Sequence, residues 1–281
     1  MSYIFSQKEL METLKKSFDI EEFDSIGISN YCFITKDGKE IIKATYDSEF
    51  LLFNDFMINA ELVKNNITIP LKEISNKFFV IMDFLPNYKS KSPSEYKNDD
   101  LDKVIELIKK MHSIDTSIKP KTFHQLFKTF YKKLDNKKIY PNLTKLYKKV
   151  ESKRQVFSHL DLVSNNILFN EKKECILIDF DMALKTDYRL DILSLITENE
   201  FSEDQKNYII DKYFESEKEK EDFVTLLPIL TFLFDYLWYI WAEVRKSRCK
   251  DKNLITKFSF ISDCKLKSAR KSDFNKEFCL I

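Results

Sequence analysis

Glycine is almost absent from this chain: of 281 residues, only Gly27 and Gly38 are glycine. That excludes motifs built on a run of glycines, in which bare backbone N–H groups approach a phosphate closely. It also implies a compositional drift under which motifs that lean on glycine look eroded. Net charge is lacking as well, since Lys+Arg 46 against Asp+Glu 45 leaves +1. No global field recruits nucleic acid, and partners must be inferred locally. The cysteines Cys32, Cys175, Cys249, Cys264 and Cys279 are odd in number and widely spread, with no C-x-x-C spacing. Neither a disulfide framework nor a zinc site is signalled, and reduced thiols in a cytoplasmic protein are expected.

The first sixteen residues, MSYIFSQKELMETLKK, lack the basic-then-apolar pattern of a signal peptide and read as a short helix. The most apolar stretch, Leu226 to Trp241, carries Pro228 and Asp235 and falls short of the roughly 20 residues that span a bilayer. It reads as a buried helix, with no membrane insertion expected.

Hydrophobic residues at 43% and aromatics at 14% supply a sizeable core and argue against disorder. The length exceeds the roughly 100–200 residues of one domain, so two lobes are expected. From about Phe23 to Phe84 the pattern is β-rich: SNYCFIT, the turn at Lys36 to Lys39, then EIIKATY, a hairpin. A helix around Ser48 to Asn65 and an apolar strand KFFVIMDFL follow. After a polar stretch the pattern becomes helical, at Leu101 to His112, Phe123 to Leu134 and Leu143 to Lys153. Two short strands, NILF and CILIDF, interrupt it, and helices resume near Asp191, Ser202 and Leu226. The expected fold is α+β and two-lobed, with a small β-rich lobe over residues 1–85 and a larger, mainly helical lobe over 86–281.

The stretch SHLDLVSNNILFNEKKECILIDFDMA carries the chemistry. His159-x-Asp161, then Asn166 five residues on, then Asp179-Phe180-Asp181 after a second strand follow the H-x-D-x-x-x-x-N and D-F-x spacing of kinase catalytic loops. Phosphoryl transfer asks a protein mainly to position groups and neutralise charge. Asp161 would accept the hydroxyl proton, with His159 shaping the same catalytic loop. Asn166 and Asp179, at opposite ends of a tight hairpin, would converge on Mg²⁺, and Asp181 would help through water. Any one of these acids alone reads as a turn or cap residue; together, at this spacing in a loop-strand-turn-strand context, they read as a site. Upstream, Lys43 at the end of EIIK would grip the phosphates of ATP, with Glu61 on the next helix to pair with it. IGISNY, with Gly27, Ser29 and Asn30, is the candidate phosphate-covering loop. The backbone at Met82 and Phe84 would meet the adenine edge. The expected fold is thus protein-kinase-like, the lobe over 1–85 binding nucleotide and the lobe over 86–281 carrying catalysis and the acceptor.

HLDLVSNNILF, ILIDFDMA, DYRLDILSLITENEF and FLFDYLWYIWAEVR together resemble the choline/ethanolamine kinase branch of the aminoglycoside phosphotransferase-like superfamily, bacterial choline kinases in particular. The likeness runs from about Ile26 to Arg248 and is stronger in the C-terminal half. It implies a choline kinase that makes phosphocholine and ADP from choline and ATP, with Asp161 as base, Asn166 and Asp179 on Mg²⁺, and Lys43 on ATP. It also implies that Asp191 braces the catalytic loop, that Glu198 lies beside the substrate's cationic head, and that Trp238 and Trp241 form an aromatic wall around it. The residues agree with that last point. The two tryptophans lie three apart on one helix, and a quaternary ammonium, having no N–H, is held by aromatic faces and a carboxylate. An aromatic stripe at helical spacing also reads as core. His112 and His124 read as structural or exposed.

Two alternatives stay open. One is another small-molecule kinase of the superfamily, for ethanolamine, aminoglycoside or sugar. The balance from Val244 to Ile281, eleven basic minus four acidic residues, or +7, disfavours a polycationic acceptor. The other is a kinase-fold protein that binds without transferring phosphate.

Overall fold

The computed structural model describes residues 4–23, 29–47, 50, 52–53, 55–75, 78–134 and 143–272. Its N-terminal part is built on the expected hairpin. Asp37 accepts from the Lys39 N–H and the Thr35 hydroxyl, and Gly38 adopts φ +70°, a left-handed turn position that favours glycine. The turn joins β2 (Tyr31–Thr35) to β3 (Glu40–Ala44). With β1 (Ile20–Glu22), β4 (Leu71–Ser75) and β5 (Phe79–Asp83) they form an antiparallel sheet of order β1-β2-β3-β5-β4. Two of these strands, β1 and β4, were not read from the sequence. On β3, Ile42 and Ala44 face the core while Lys43, one residue out of phase, faces the other way. A short helix α1 (Gln7–Leu14) precedes the sheet, closed by a Ser6/Glu9 capping box.

The helix α2 runs Phe56–Lys64, shorter than expected, because Asp55 caps it by accepting from Met57 and Ile58 N–H. Asn59 on its buried face bonds Ile69 O and Leu71 N and so fixes the entry to β4.

The remainder is mainly helical: α3 (Asn98–His112), α4 (Phe123–Tyr131), α5 (Thr144–Val150), α6 (Arg189–Thr197), α7 (Glu203–Tyr213), α8 (Glu217–Ser247) and α9 (Lys252–Lys271). Helix α3 shows the period behind it, with Leu101, Val104, Ile105, Ile108 and Met111 all buried. Helix α8 is 31 residues, long and apolar enough to cross a membrane by length and composition, contrary to the shorter run read from the sequence. Its apolar stretch is packed inside the protein, from Ile229 to Ala242, so it is a core helix. Helix α9, capped by Asp251, was not anticipated and packs antiparallel-wise along α8.

Small strands frame the catalytic segment. The pair β7 (Gln155–Ser158) and β10 (Leu184–Asp187) is antiparallel, and β6 (Lys89–Ser90), β8 (Ile167–Phe169) and β9 (Cys175–Leu177) form a second sheet of order β6-β8-β9. The loops 159–166 and 178–183 therefore emerge side by side, each between one strand of either sheet. The bond Leu177 N to Ile67 O, 2.7 Å, ties this region to the N-terminal part.

Candidate active site

Asp161 sits on the loop after β7, and the loop is held open by α6. Asp191, fully buried, accepts from His159 N at 3.1 Å and Leu160 N at 2.7 Å. Its side chain is met from the other side by His112 Nε2 at 2.8 Å, and His112 Nδ1 lies 2.7 Å from the Tyr213 hydroxyl. Asp191 thus occupies the bracing position expected of it. The buried carboxylate supplies acceptors to a backbone that has no strand partner there, and Leu160 can take its left-handed φ of +66°. Two further residues of the α6 segment continue the support: Ser194 Oγ accepts from Leu162 N, and Asn199 bonds Ser164 N and Leu162 O. Sequence reading missed both, although positions 191 and 194 lie one turn apart on a helix.

His159 uses both ring nitrogens locally. Nε2 lies 2.8 Å from Ile178 O and Nδ1 accepts from Asp161 N at 3.3 Å. Burial pushes its pKa below the ordinary value, so the neutral ring links the two loops and has no nitrogen left for proton transfer. Asn166 donates from Nδ2 to Asp161 O at 2.9 Å and to Asp161 Oδ2 at 3.1 Å. Burial first, then the charges of Asp179 and Glu198, push the Asp161 carboxyl up to about 7.

Asn166 and Asp179 stand at the open ends of the β8–β9 hairpin, where Ile178 N bonds Asn166 O at 3.0 Å. Asp179 takes φ +66° to turn its carboxylate into the cleft. Lys43 bridges it and Asp181, at 2.7 and 2.5 Å. Burial works against the Lys43 ammonium, but the two carboxylates hold its pKa above the ordinary value. Burial likewise works to raise Asp179, and Lys43 outweighs it and holds the carboxyl below the usual range.

Asp181 departs from its expected role near the metal. Besides Lys43 it accepts from Asn30 Nδ2 at 2.6 Å and Phe53 N at 2.9 Å, so both oxygens are spent on fixing the N-terminal part against the helical part. Glu61 is not brought to Lys43. It is half exposed and pairs with Lys64 at 3.6 Å, because it lies on the solvent side of α2. Asn30 is tied to Asp181, and the Ser29 carbonyl is held by Arg245 Nη2. Arg245 is 1% exposed and lies over the Tyr46 and Phe50 rings, 4.4 Å from each centroid. Gly27 lies outside the described residues. Met82 is paired within β5, and the Phe84 N–H donates to Lys39 O at 2.8 Å.

The donor set fits a hard cation such as Mg²⁺. Asn166 and Asp179 offer oxygen only, and the Lys43 ammonium on Asp179 shows that this spot stabilises positive charge. Among the described residues no three His, Cys, Asp or Glu side chains gather to hold a metal unaided.

Glu198 caps the end of α6, near enough to Asp161 to act on it electrostatically. Its Oε1 is 2.6 Å from Lys265 Nζ of α9, which also reaches Asp235 Oδ1 at 3.0 Å. Trp238 and Trp241 share a face as expected and meet edge to face at 5.4 Å. Each is 7% exposed, packed against Phe234 and Phe258 respectively.

A β-rich part and a helical part with a catalytic-loop geometry between them define the class: a protein-kinase-like phosphotransferase fold. A profile of the ecdysteroid kinase-like family matches residues 69–222, more than half of the chain, and the chain belongs to that family. Comparison with curated proteins finds no sequence match. Among solved structures, a choline/ethanolamine kinase family protein from Mesorhizobium loti is similar at 15% identity, covering 94% of this chain and 90% of that one, with a TM-score of 0.68. Choline kinase LicA from Streptococcus pneumoniae is similar at 15% identity over 92% and 98%, with a TM-score of 0.67. The gentamicin complex of APH(2")-IIa is similar at 15% identity over 92% and 96%, with a TM-score of 0.58. The likeness read from the sequence is borne out at the level of fold, and the family shown is the ecdysteroid kinase-like one.

Proposed function

We propose that this chain is an ATP-dependent phosphotransferase that moves the γ-phosphoryl group to the hydroxyl of a small molecule. The observation that carries it is the convergence of Asp161, Asn166, Asp179 and Lys43 at one cleft. In this reading residues 1–85 form the nucleotide-binding lobe and residues 86–281 the catalytic and acceptor lobe, in a cytoplasmic protein. Asp161 receives the proton of the acceptor hydroxyl as its oxygen attacks the γ-phosphorus, and the bond to the β-phosphate oxygen breaks to release ADP. A carboxyl pushed up to about 7 is matched to that proton transfer. Lys43 exchanges its carboxylates for ATP phosphates. Asn166 and Asp179 would hold Mg²⁺, which when bound neutralises phosphate charge. His159 positions the loop.

Choline is the acceptor the family likeness implies, and Glu198 with Trp238 and Trp241 is the basis for it. Lys265 favours a second reading, because it already supplies Glu198 with a cation. The test is ADP release from Mg·ATP against a panel of choline, ethanolamine, aminoglycosides and neutral alcohols. Acceptor-dependent ADP that is lost in Asp161→Asn supports the transfer reading. Binding of ATP and acceptor with no ADP above background would leave a binding protein instead.

A further inference from the structure

The Lys265 ammonium lies between two carboxylates, 2.6 Å from Glu198 and 3.0 Å from Asp235. All three side chains are mostly withdrawn from water, at 16%, 13% and 7% exposure. The second oxygen of Asp235 accepts from Ser268 Oγ at 2.6 Å. Burial works to lower Lys265, and the two acids hold it raised and protonated. An open cavity of about 500 Å³ borders this group, lined by Thr197, Leu227, Thr231 and Ser268 together with Asp235 and Lys265. Such a volume lies within the roughly 300–1,000 Å³ of ligand pockets.

We propose that Lys265 is the built-in counter-ion of the acceptor-side acids, so that this chain selects an acceptor alcohol carrying no positive charge. The inference rests on the reading of Asp161 as the base toward which the acceptor hydroxyl points. Two buried carboxylates, one of which, Glu198, is near enough to Asp161 to act on it electrostatically, need a cation, since an unpaired buried charge is costly. A cationic substrate would meet that need only while bound, whereas Lys265 meets it permanently. A trimethylammonium group would have to displace a tethered ammonium that makes hydrogen bonds a quaternary nitrogen cannot make. Bound beside Lys265, it would face a like charge at short range. A neutral alcohol encounters neither cost.

The experiment compares choline with 3,3-dimethylbutan-1-ol, in which carbon replaces the charged nitrogen without changing shape. In the wild type, kcat/KM for the neutral alcohol should equal or exceed that for choline. Lys265→Met should move the choline-to-neutral ratio toward choline by at least roughly tenfold, the scale of one desolvated charge contact. Lys265→Arg should restore the wild-type preference. Calorimetry with tetramethylammonium, which has no hydroxyl, should find binding only in Lys265→Met. If that variant melts at assay temperature, Lys265→Gln removes the charge while keeping a hydrogen-bonding end. A wild type that prefers choline, with a ratio unmoved by either variant, overturns the proposal. If neither alcohol is turned over, the transfer reading fails for these acceptors. The tetramethylammonium arm still decides this one: binding gained on loss of the lysine supports it, and binding equal in wild type and variant overturns it.

Discussion

Replacing Asp161 with asparagine should make the unliganded protein more stable while removing activity. Burial and the neighbouring charges of Asp179 and Glu198 push the carboxyl from 3.8 to about 7. That is roughly 3 units at about 1.36 kcal/mol each, or at most ~4 kcal/mol of ionic strain at neutral pH. The cleft side of Asp161 stays open to solvent, and screening there brings the expected gain to about 1–3 kcal/mol. Asparagine keeps the shape and can still accept from Asn166. The sign follows from the proton count. The folded form binds the proton more tightly than the unfolded chain, so wild-type stability falls as pH rises from about 4 to about 7 and is level above that. The Tm of Asp161→Asn minus that of the wild type should therefore be small near pH 5, grow through neutrality, and flatten by about pH 8. At about 2–4 °C per kcal/mol, the plateau is on the order of 2–12 °C. Thermal melts without nucleotide or metal, across that pH range, read it directly. A variant that melts at or below the wild type at about pH 8, or a difference independent of pH, would refute the electrostatic account of this residue.

Three other outcomes are expected. Lys43→Met leaves Asp179 and Asp181 buried without their cation and should cost about 3–5 kcal/mol. Added Mg²⁺ should recover part of the lost Tm, and a loss indifferent to Mg²⁺ would argue against a metal at Asp179. Asp191→Ala strands the His159 and Leu160 N–H groups, at about 1–3 kcal/mol each. Denaturant unfolding would register this, and a loss under about 1 kcal/mol would mean that the loop holds itself. Trp238→Ala should cost about 3–5 kcal/mol in stability, because the ring is packed against Phe234 and Trp241. If Trp238 also lines the acceptor site, the acceptor KM rises more than the ATP KM, whereas equal rises would make it core alone.

The chemistry of the catalytic segment was legible because its geometry is local. The loop-strand-turn-strand spacing from His159 to Asp179 sets the hairpin, and the hairpin sets where Asn166 and Asp179 stand. The bracing by Asp191 was legible only through family likeness, and its neighbours Ser194 and Asn199 not at all, since Ser and Asn look like any helix-end residues until the loop they support is known. Strand β4 escaped because LKEIS has neither a clean alternation nor an apolar run, and its place comes from Asn59 and from β5. Lys43 was singled out in the sequence, but the partners it has in the structure were not. Glu61 lay at the right sequence distance on a helix, while the carboxylates that meet Lys43 are 136 and 138 residues away.

Charge in the C-terminal stretch is the case where counting misleads and contact decides. A surplus of eleven basic over four acidic residues, +7, argues only weakly against a polycationic acceptor, because Lys252, Lys257, Lys267, Arg270 and Lys271 lie exposed on α9, where salt and water screen them. One lysine of that helix differs. Lys265 is turned inward by the same helical register that buries Leu254, Phe258, Ser262 and Ala269 against α8, and there it meets Glu198 and Asp235 in low dielectric. An acidic residue at position 198 invites a cationic substrate only if nothing within the chain has taken its charge. The decision between a charged and a neutral acceptor therefore rests on a helix that contributes nothing to phosphate transfer itself.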